Sequence, residues 1–216
     1  IYRNLIINQR REKEALQLIS QVKEAESNLL KSQINPHFLF NTLNNIYSMA
    51  QLKSEQTADA VHRLSEMLRY VIYDCNQPLV KLGQEINYIK SYIELQLLKD
   101  EKTQHIRYTL EGVNENLMIA PMLLIPFIEN SFKHSHIEDT EKSWINIELT
   151  TEGNALHLKA HNSMPAAPVS KDATGGVGLE NVQKRLNILY PGRHQLFIER
   201  DPTEYKVELI VKLDEN

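Results

Sequence analysis

Apolar residues recur along this chain at spacings that change character from one end to the other. Ala15, Leu18, Val22, Ala25 and Leu29 alternate steps of three and four within residues 8–35, a stretch without Gly or Pro and dense in Glu, Lys, Gln and Leu. That is the seam of a coiled coil. It is barely two heptads long, and an amphipathic helix lying on a core fits it equally well. From about Thr57 to Tyr73 a second stripe, Val61, Leu64, Leu68, Val71 and Ile72, runs opposite Asp59, Arg63, Glu66 and Arg69. Two amphipathic helices with a short connection make a hairpin, and pairing with a second copy closes a four-helix bundle. Asn76-Gln77-Pro78 breaks the pattern, and the spacing predicts a domain boundary there.

Beyond the break the period changes. Ile86, Ile89, Ile93 and Leu97 mark a helix from Gln84 to about Leu98 that should pack on a sheet, with Tyr88 and Tyr92 alongside. Residues 105–110 alternate as a short strand, and Pro121 to His134 reads as a helix beginning near a proline. Ile145, Ile147, Leu149 and then Leu156, Leu158, Ala160 alternate with polar residues, predicting two half-buried strands joined at Glu152-Gly153-Asn154. A helix over Leu179–Tyr190 stops at Pro191-Gly192, and strands at about 195–200 and 205–213 turn at Asp201-Pro202. The predicted class is α+β: an N-terminal dimerisation hairpin over 1–77, then over 78–216 a two-layer α/β sandwich with mostly antiparallel strands.

Composition narrows the partners. The 216 residues are 42% hydrophobic and 24% charged with a net charge of −4, which gives no nucleic-acid footprint. The one cysteine, Cys75, excludes an internal disulfide and a cysteine-based zinc site, suits a reducing compartment, and reads as a packing residue. No apolar run approaches the ~20 residues that span a bilayer, and no stretch of the given sequence reads as a signal peptide. The chain opens on Ile1 rather than Met, so it reads as a fragment with a membrane part upstream.

The chemistry concentrates in three places. In the run 33–46 a single histidine sits in a helix-like, charge-free stretch: Gln33, His37, Asn41, Asn44 and Asn45 share a polar flank, while Ile34, Phe38, Leu43 and Ile46 point into packing. The imidazole is presented rather than buried, and Pro36 makes the helix kink or restart beside it. A capping or packing histidine is the alternative. Three of the seven glycines lie in Gly175-Gly176-Val177-Gly178 directly before a helix, where backbone amides and the helix N-terminus favour an anion. A flexible glycine turn explains that loop as well. In the predicted helix ending at His134, Asn130, Lys133 and His134 share a face opposite Leu124, Ile128 and Phe132. An amide oxygen suits Mg²⁺ and a lysine suits phosphate, although a solvated helix face has the same pattern. His134 and His136 lack companion ligands for a structural zinc.

The run Leu30-Lys31-Ser32-Gln33-Ile34-Asn35-Pro36-His37-Phe38-Leu39-Phe40-Asn41-Thr42-Leu43-Asn44 resembles the phosphoacceptor motif of the LytS-like bacterial sensor histidine kinases. Residues 82–96 resemble the link between that family's two domains. Pro126–His134 and 175–178 resemble the N-box and G-box of the GHKL ATPases, whose Bergerat fold matches the sandwich read above. The resemblance implies a dimeric two-component kinase in which His37 takes a phosphoryl group from ATP and passes it to an aspartate of a response regulator. It also implies that Asn130 binds Mg²⁺, that Lys133 and His134 meet the triphosphate, and that Gly176 and Gly178 close the ATP lid. The membrane part outside this chain would place it at the cytoplasmic face of the bacterial inner membrane. Arg185 and Leu186 match the family's post-glycine helix, where a solvated arginine is expected; Glu129 receives no role. Where relatives carry Asp-Asn-Gly or Asp-x-Gly, this chain has His161-Asn162-Ser163. The adenine amine then loses its anionic acceptor, leaving the Asn162 carbonyl oxygen or an unprotonated His161 nitrogen. Rival readings are a catalytically weak relative and a coiled-coil scaffold.

Overall fold

A computed structural model describes residues 36–98, 105–110, 112–135, 143–164 and 177–214. The coiled-coil seam at 15–29 lies outside them, as do Gly175, Gly176, His136 and most of the presumed lid. Helix α1 spans Pro36–Gln51. A proline suits a first helical position because its missing N–H would have no partner there. Helix α2, Thr57–Tyr73, has the expected bounds but a different buried face: Ala60, Leu64, Met67, Tyr70 and Val71. Val61 and Ile72 are about half exposed, as is Leu43 on α1. The stripe is turned back by roughly one residue because α2 packs on the helix that follows the hairpin as well as on α1.

That helix, α3, spans Leu82–Leu97, starting two residues before the predicted Gln84. The Gln84 side chain accepts the Lys81 N–H at 3.1 Å and caps the end. It buries two stripes: Leu82, Ile86, Ile89 and Ile93 in one, Glu85, Tyr88, Tyr92 and Leu95 in the other. Each large apolar side chain so buried contributes about 1.5–3 kcal/mol. Strands β1 (Val80–Lys81) and β3 (Met118–Ile119) pair antiparallel around it. Two-residue strands are too short for alternation to reveal them.

The main sheet contains β2 (Ile106–Thr109), β4 (Ile145–Glu152), β5 (Ala155–Ser163), β6 (His194–Arg200) and β7 (Glu204–Lys212) in the order β2-β4-β5-β7-β6. The β2–β4 pair is parallel and the others antiparallel. Ile145, Ile147 and Leu149, Leu156, Leu158 and Ala160, Val207, Leu209 and Val211 form one buried face. Gly153 at φ +59 permits the tight β4–β5 turn. Over this face lie α4 (Ile125–His134) and α5 (Val177–Leu189). Helix α4 begins later than predicted because residues 121–124 form a turn with Met122 at φ +56. One buried cluster runs from Phe38, Leu64, Met67 and Tyr70 of the hairpin through α3 to the sheet. Among the described residues no helix is long and apolar enough to cross a membrane.

Candidate functional site

His37 is exposed on the first turn of α1. One turn on, the Asn41 amide nitrogen lies 3.2 Å from Nε2 and 3.4 Å from Nδ1, so the ring's tautomer decides which nitrogen accepts its hydrogen. Next to it, Phe38 is buried with its ring 4.8 Å from Tyr92 of α3, and Tyr92 meets Phe132 of α4 edge-on at 5.6 Å. Offset and edge-on ring contacts are worth about 0.5–1.5 kcal/mol each beyond burial. Arg63 of α2 is ion-paired with Glu94 of α3. The hairpin presenting His37 is thereby seated on α3, which in turn meets the helix carrying the predicted phosphate and metal residues.

On α4, Ile125, Phe127, Ile128 and Ser131 are buried, Asn130 and His134 half-buried, and Lys133 exposed. The shared polar face predicted for Asn130, Lys133 and His134 is present. Glu129 faces the hairpin, lining a small cavity with Phe38, Leu39, Leu64, Met67, Val71 and Tyr88. Burial among these apolar groups pushes its carboxyl up to about 7.

At the end of β5 the alternation puts the two candidate acceptors on opposite faces. Asn162 continues the inward stripe of Leu156, Leu158 and Ala160 and is 0% exposed. Its Nδ2 donates to the Ser163 carbonyl oxygen at 2.8 Å, which fixes the amide's orientation and leaves Oδ1 buried without a partner. His161 lies on the opposite face, 3.8 Å from Glu208, and partial burial holds its pKa down despite that carboxylate. His161 therefore cannot serve a ligand held between sheet and helices. Gly178 stands exposed in the first turn of α5, where an added Cβ would meet nothing within 4 Å.

Sequence reasoning missed one cluster and misread one residue. Glu85 is fully buried, and its Oε1 accepts the Tyr70 hydroxyl at 2.5 Å and the Met122 N–H. Burial raises its pKa, opposed by those hydrogen bonds and by Arg185. Arg185 is not a solvated arginine: Nη2 donates to the Pro121 carbonyl oxygen at 2.7 Å and Nη1 to that of Met122 at 3.1 Å. The available signal for Glu85 was an acid on the same helical stripe as Tyr88 and Tyr92. Cys75 is buried as expected of a packing residue, its thiol pushed up to about 12 by burial.

A family model described as histidine kinase matches residues 25–103. The sensor protein LytS of Enterococcus faecalis is 24% identical over 82% of this chain and 32% of its own length. The chain is similar to the sensor histidine kinases. Sensor protein kinase HptS of Staphylococcus aureus is 35% identical over 66% of this chain and 28% of its own length. Among solved structures, the histidine kinase domain of a blue-light activated kinase from Erythrobacter litoralis is 14% identical with a TM-score of 0.46, covering 89% of this chain and 96% of that one. This chain spans about a third of the length of its LytS and HptS relatives. The family match takes in His37 and Glu85 but ends before α4.

Proposed function

We propose that the chain is the phosphoacceptor and ATP-binding portion of a two-component sensor kinase, in which His37 is phosphorylated from ATP and passes the group to an aspartate of a response regulator. The observation that carries this reading is the chain of rings Phe38–Tyr92–Phe132, which ties the turn bearing exposed His37 to the helix bearing Asn130 and Lys133. Residues 1–77 are then the stalk and phosphoacceptor part, and 78–216 the ATP-binding part.

The residues fit the nucleotide. The orphaned Oδ1 of Asn162 is a buried acceptor for an exocyclic amine, and leaving such an atom unpaired costs about 1–3 kcal/mol. Lys133 and His134 of α4 would meet the phosphates, and Gly178 in the first turn of α5, together with Gly176 outside the described residues, would close over them. Asn130 offers an amide oxygen to Mg²⁺. When bound there, Mg²⁺ would supply positive charge against that developing on the phosphates. His37 supplies a ring nitrogen lone pair: its N–P bond forms as the O–P bond to the ADP leaving group breaks. The protein's contribution is chiefly to hold the two in line.

A second copy of the chain completes the hairpin in this reading. Phe40, Leu43 and Tyr47 on α1 and Val61, Ile72 and Tyr73 on α2 leave large apolar faces in solvent, the faces a four-helix bundle buries. A membrane part outside this chain would hold the dimer at the cytoplasmic face of the bacterial inner membrane. A weak kinase is the second reading, favoured by the neutral amide of Asn162 where an anionic acceptor is expected. Incubation with radiolabelled ATP and Mg²⁺, followed by a chase with a receiver domain, tests both. Acid-labile label that forms on the chain and moves to the receiver supports the kinase; nucleotide binding without label supports the weak relative.

A further inference from the structure

The face of the sheet turned away from α4 and α5 takes no part in the nucleotide reading, and one corner of it has the parts of a ligand site. We propose that a cleft at the β2–β4 edge, anchored by Arg107 and Trp144, binds a small flat organic acid, with its carboxylate on the guanidinium and its ring on the indole.

The alternation that turns Ile106, Tyr108, Ile145 and Ile147 toward the core sends His105, Arg107, Trp144 and Asn146 to the other face. Parallel pairing sets Arg107 directly beside Asn146. These four residues and Ile145 line a cleft of about 350 Å³. Small-molecule sites run from about 300 to 1,000 Å³, so the size suits one ring and its substituents.

The side chains name the class. Arg107 is exposed, and its guanidinium has no ion pair or hydrogen bond among the described residues. Two acids of the same face, Glu148 and Glu204, lie instead against Lys159 at 4.0 Å and Lys206 at 2.9 Å. An unanswered guanidinium in a chain of net charge −4 is a donor left for an anion, and its parallel N–H groups match a carboxylate in bidentate fashion. Trp144 is half-buried and tied down: its N–H donates to Ser163 Oγ at 2.9 Å, and its carbonyl oxygen accepts the Ser163 N–H at 3.0 Å. That double bond to β5 holds the backbone from which the indole springs, so a ring stacking on it orders little that was free. The Asn146 amide and the His105 ring add donors and acceptors beside the two anchors. Inorganic phosphate would use Arg107 but leave the indole idle, and a neutral ring would do the reverse. Asn162 belongs to the inward stripe of β5, so the cleft and the proposed nucleotide site lie on opposite faces of the sheet.

Trp144 is the only tryptophan of the chain, so its fluorescence reports this cleft directly. The test titrates benzoate, benzamide and inorganic phosphate into wild type and benzoate into Arg107→Gln, with saturation-transfer NMR of the benzoate protons in parallel. Benzoate should change the emission saturably with a Kd of about a millimolar, as its few atoms allow. Benzamide, which keeps the ring and loses the charge, should bind at least about tenfold more weakly, and so should benzoate to Arg107→Gln at an unchanged melting temperature. Saturating ADP and Mg²⁺ should leave the benzoate response in place. No saturable response, equal affinity for benzamide, or undiminished affinity in Arg107→Gln overturns the site. A phosphate response as strong as that of benzoate reveals an adventitious anion only, and displacement by ADP puts benzoate in the nucleotide site; either result overturns the proposal as well. The benzamide comparison uses the wild type and so decides the matter even if Arg107→Gln is unstable.

Discussion

At the scale of single residues the assignments make separable predictions. Asn162→Asp places an anionic acceptor where a neutral one now lies buried. Charge-assisted bonds exceed neutral ones by about 1 kcal/mol, so ATP should bind roughly fivefold more tightly while the nucleotide-free variant melts lower, because an uncompensated buried charge is costly. Titration calorimetry and a melting curve check both signs. Glu129 carries a pH dependence. Its folded-state pKa of about 7 lies above the ordinary carboxylate value, so between about pH 5 and 7 the folded chain binds more protons than the unfolded one and stability falls as pH rises. The loss should be on the order of 2–3 kcal/mol and absent from Glu129→Gln, as read by denaturant midpoints across that range. His37, Asn130 and Asn162 were nameable from the sequence because each stands in a distinctive local pattern. Glu85 and Arg185 were not, since their partners Tyr70, Pro121 and Met122 are distant in the chain and come together only on folding.

Among elements, those long enough to show a period were legible: α2, α3, β4, β5 and β7 lie within a few residues of where alternation and helical spacing put them. What escaped was set by tertiary packing. The β1–β3 pair has two residues a side. The turn at 121–124 delays α4 past a proline that looked like its start, and α2 is rotated to meet α3. The contact most exposed to test is that between α1 and α3. Phe38→Ala removes the ring against Tyr92 and should cost about 3 kcal/mol, the low end for a buried aromatic truncation. Global melting reports it, and a change below about 0.5 kcal/mol, the range of ordinary surface substitutions, would contradict the seating of the hairpin on α3 and α4.

Over the whole molecule, the apolar residues left in solvent on α1 and α2 call for a partner. Tyr47 is 66% exposed on the stripe it shares with Phe40 and Leu43. Tyr47→Asp should convert a dimer to a monomer in light scattering without lowering nucleotide affinity, and a monomeric wild type at high concentration would contradict the bundle. The central claim is that an exposed histidine on one element is phosphorylated from a nucleotide held by another. It is tested most directly by measuring nucleotide binding and acid-labile label together in wild type, His37→Gln and Asn130→Ala. Label is expected in wild type, none in His37→Gln with nucleotide affinity undiminished, and at least about a tenfold loss of rate in Asn130→Ala with the fold intact. Label that persists in His37→Gln, or an Asn130→Ala variant that is fully active, would contradict it.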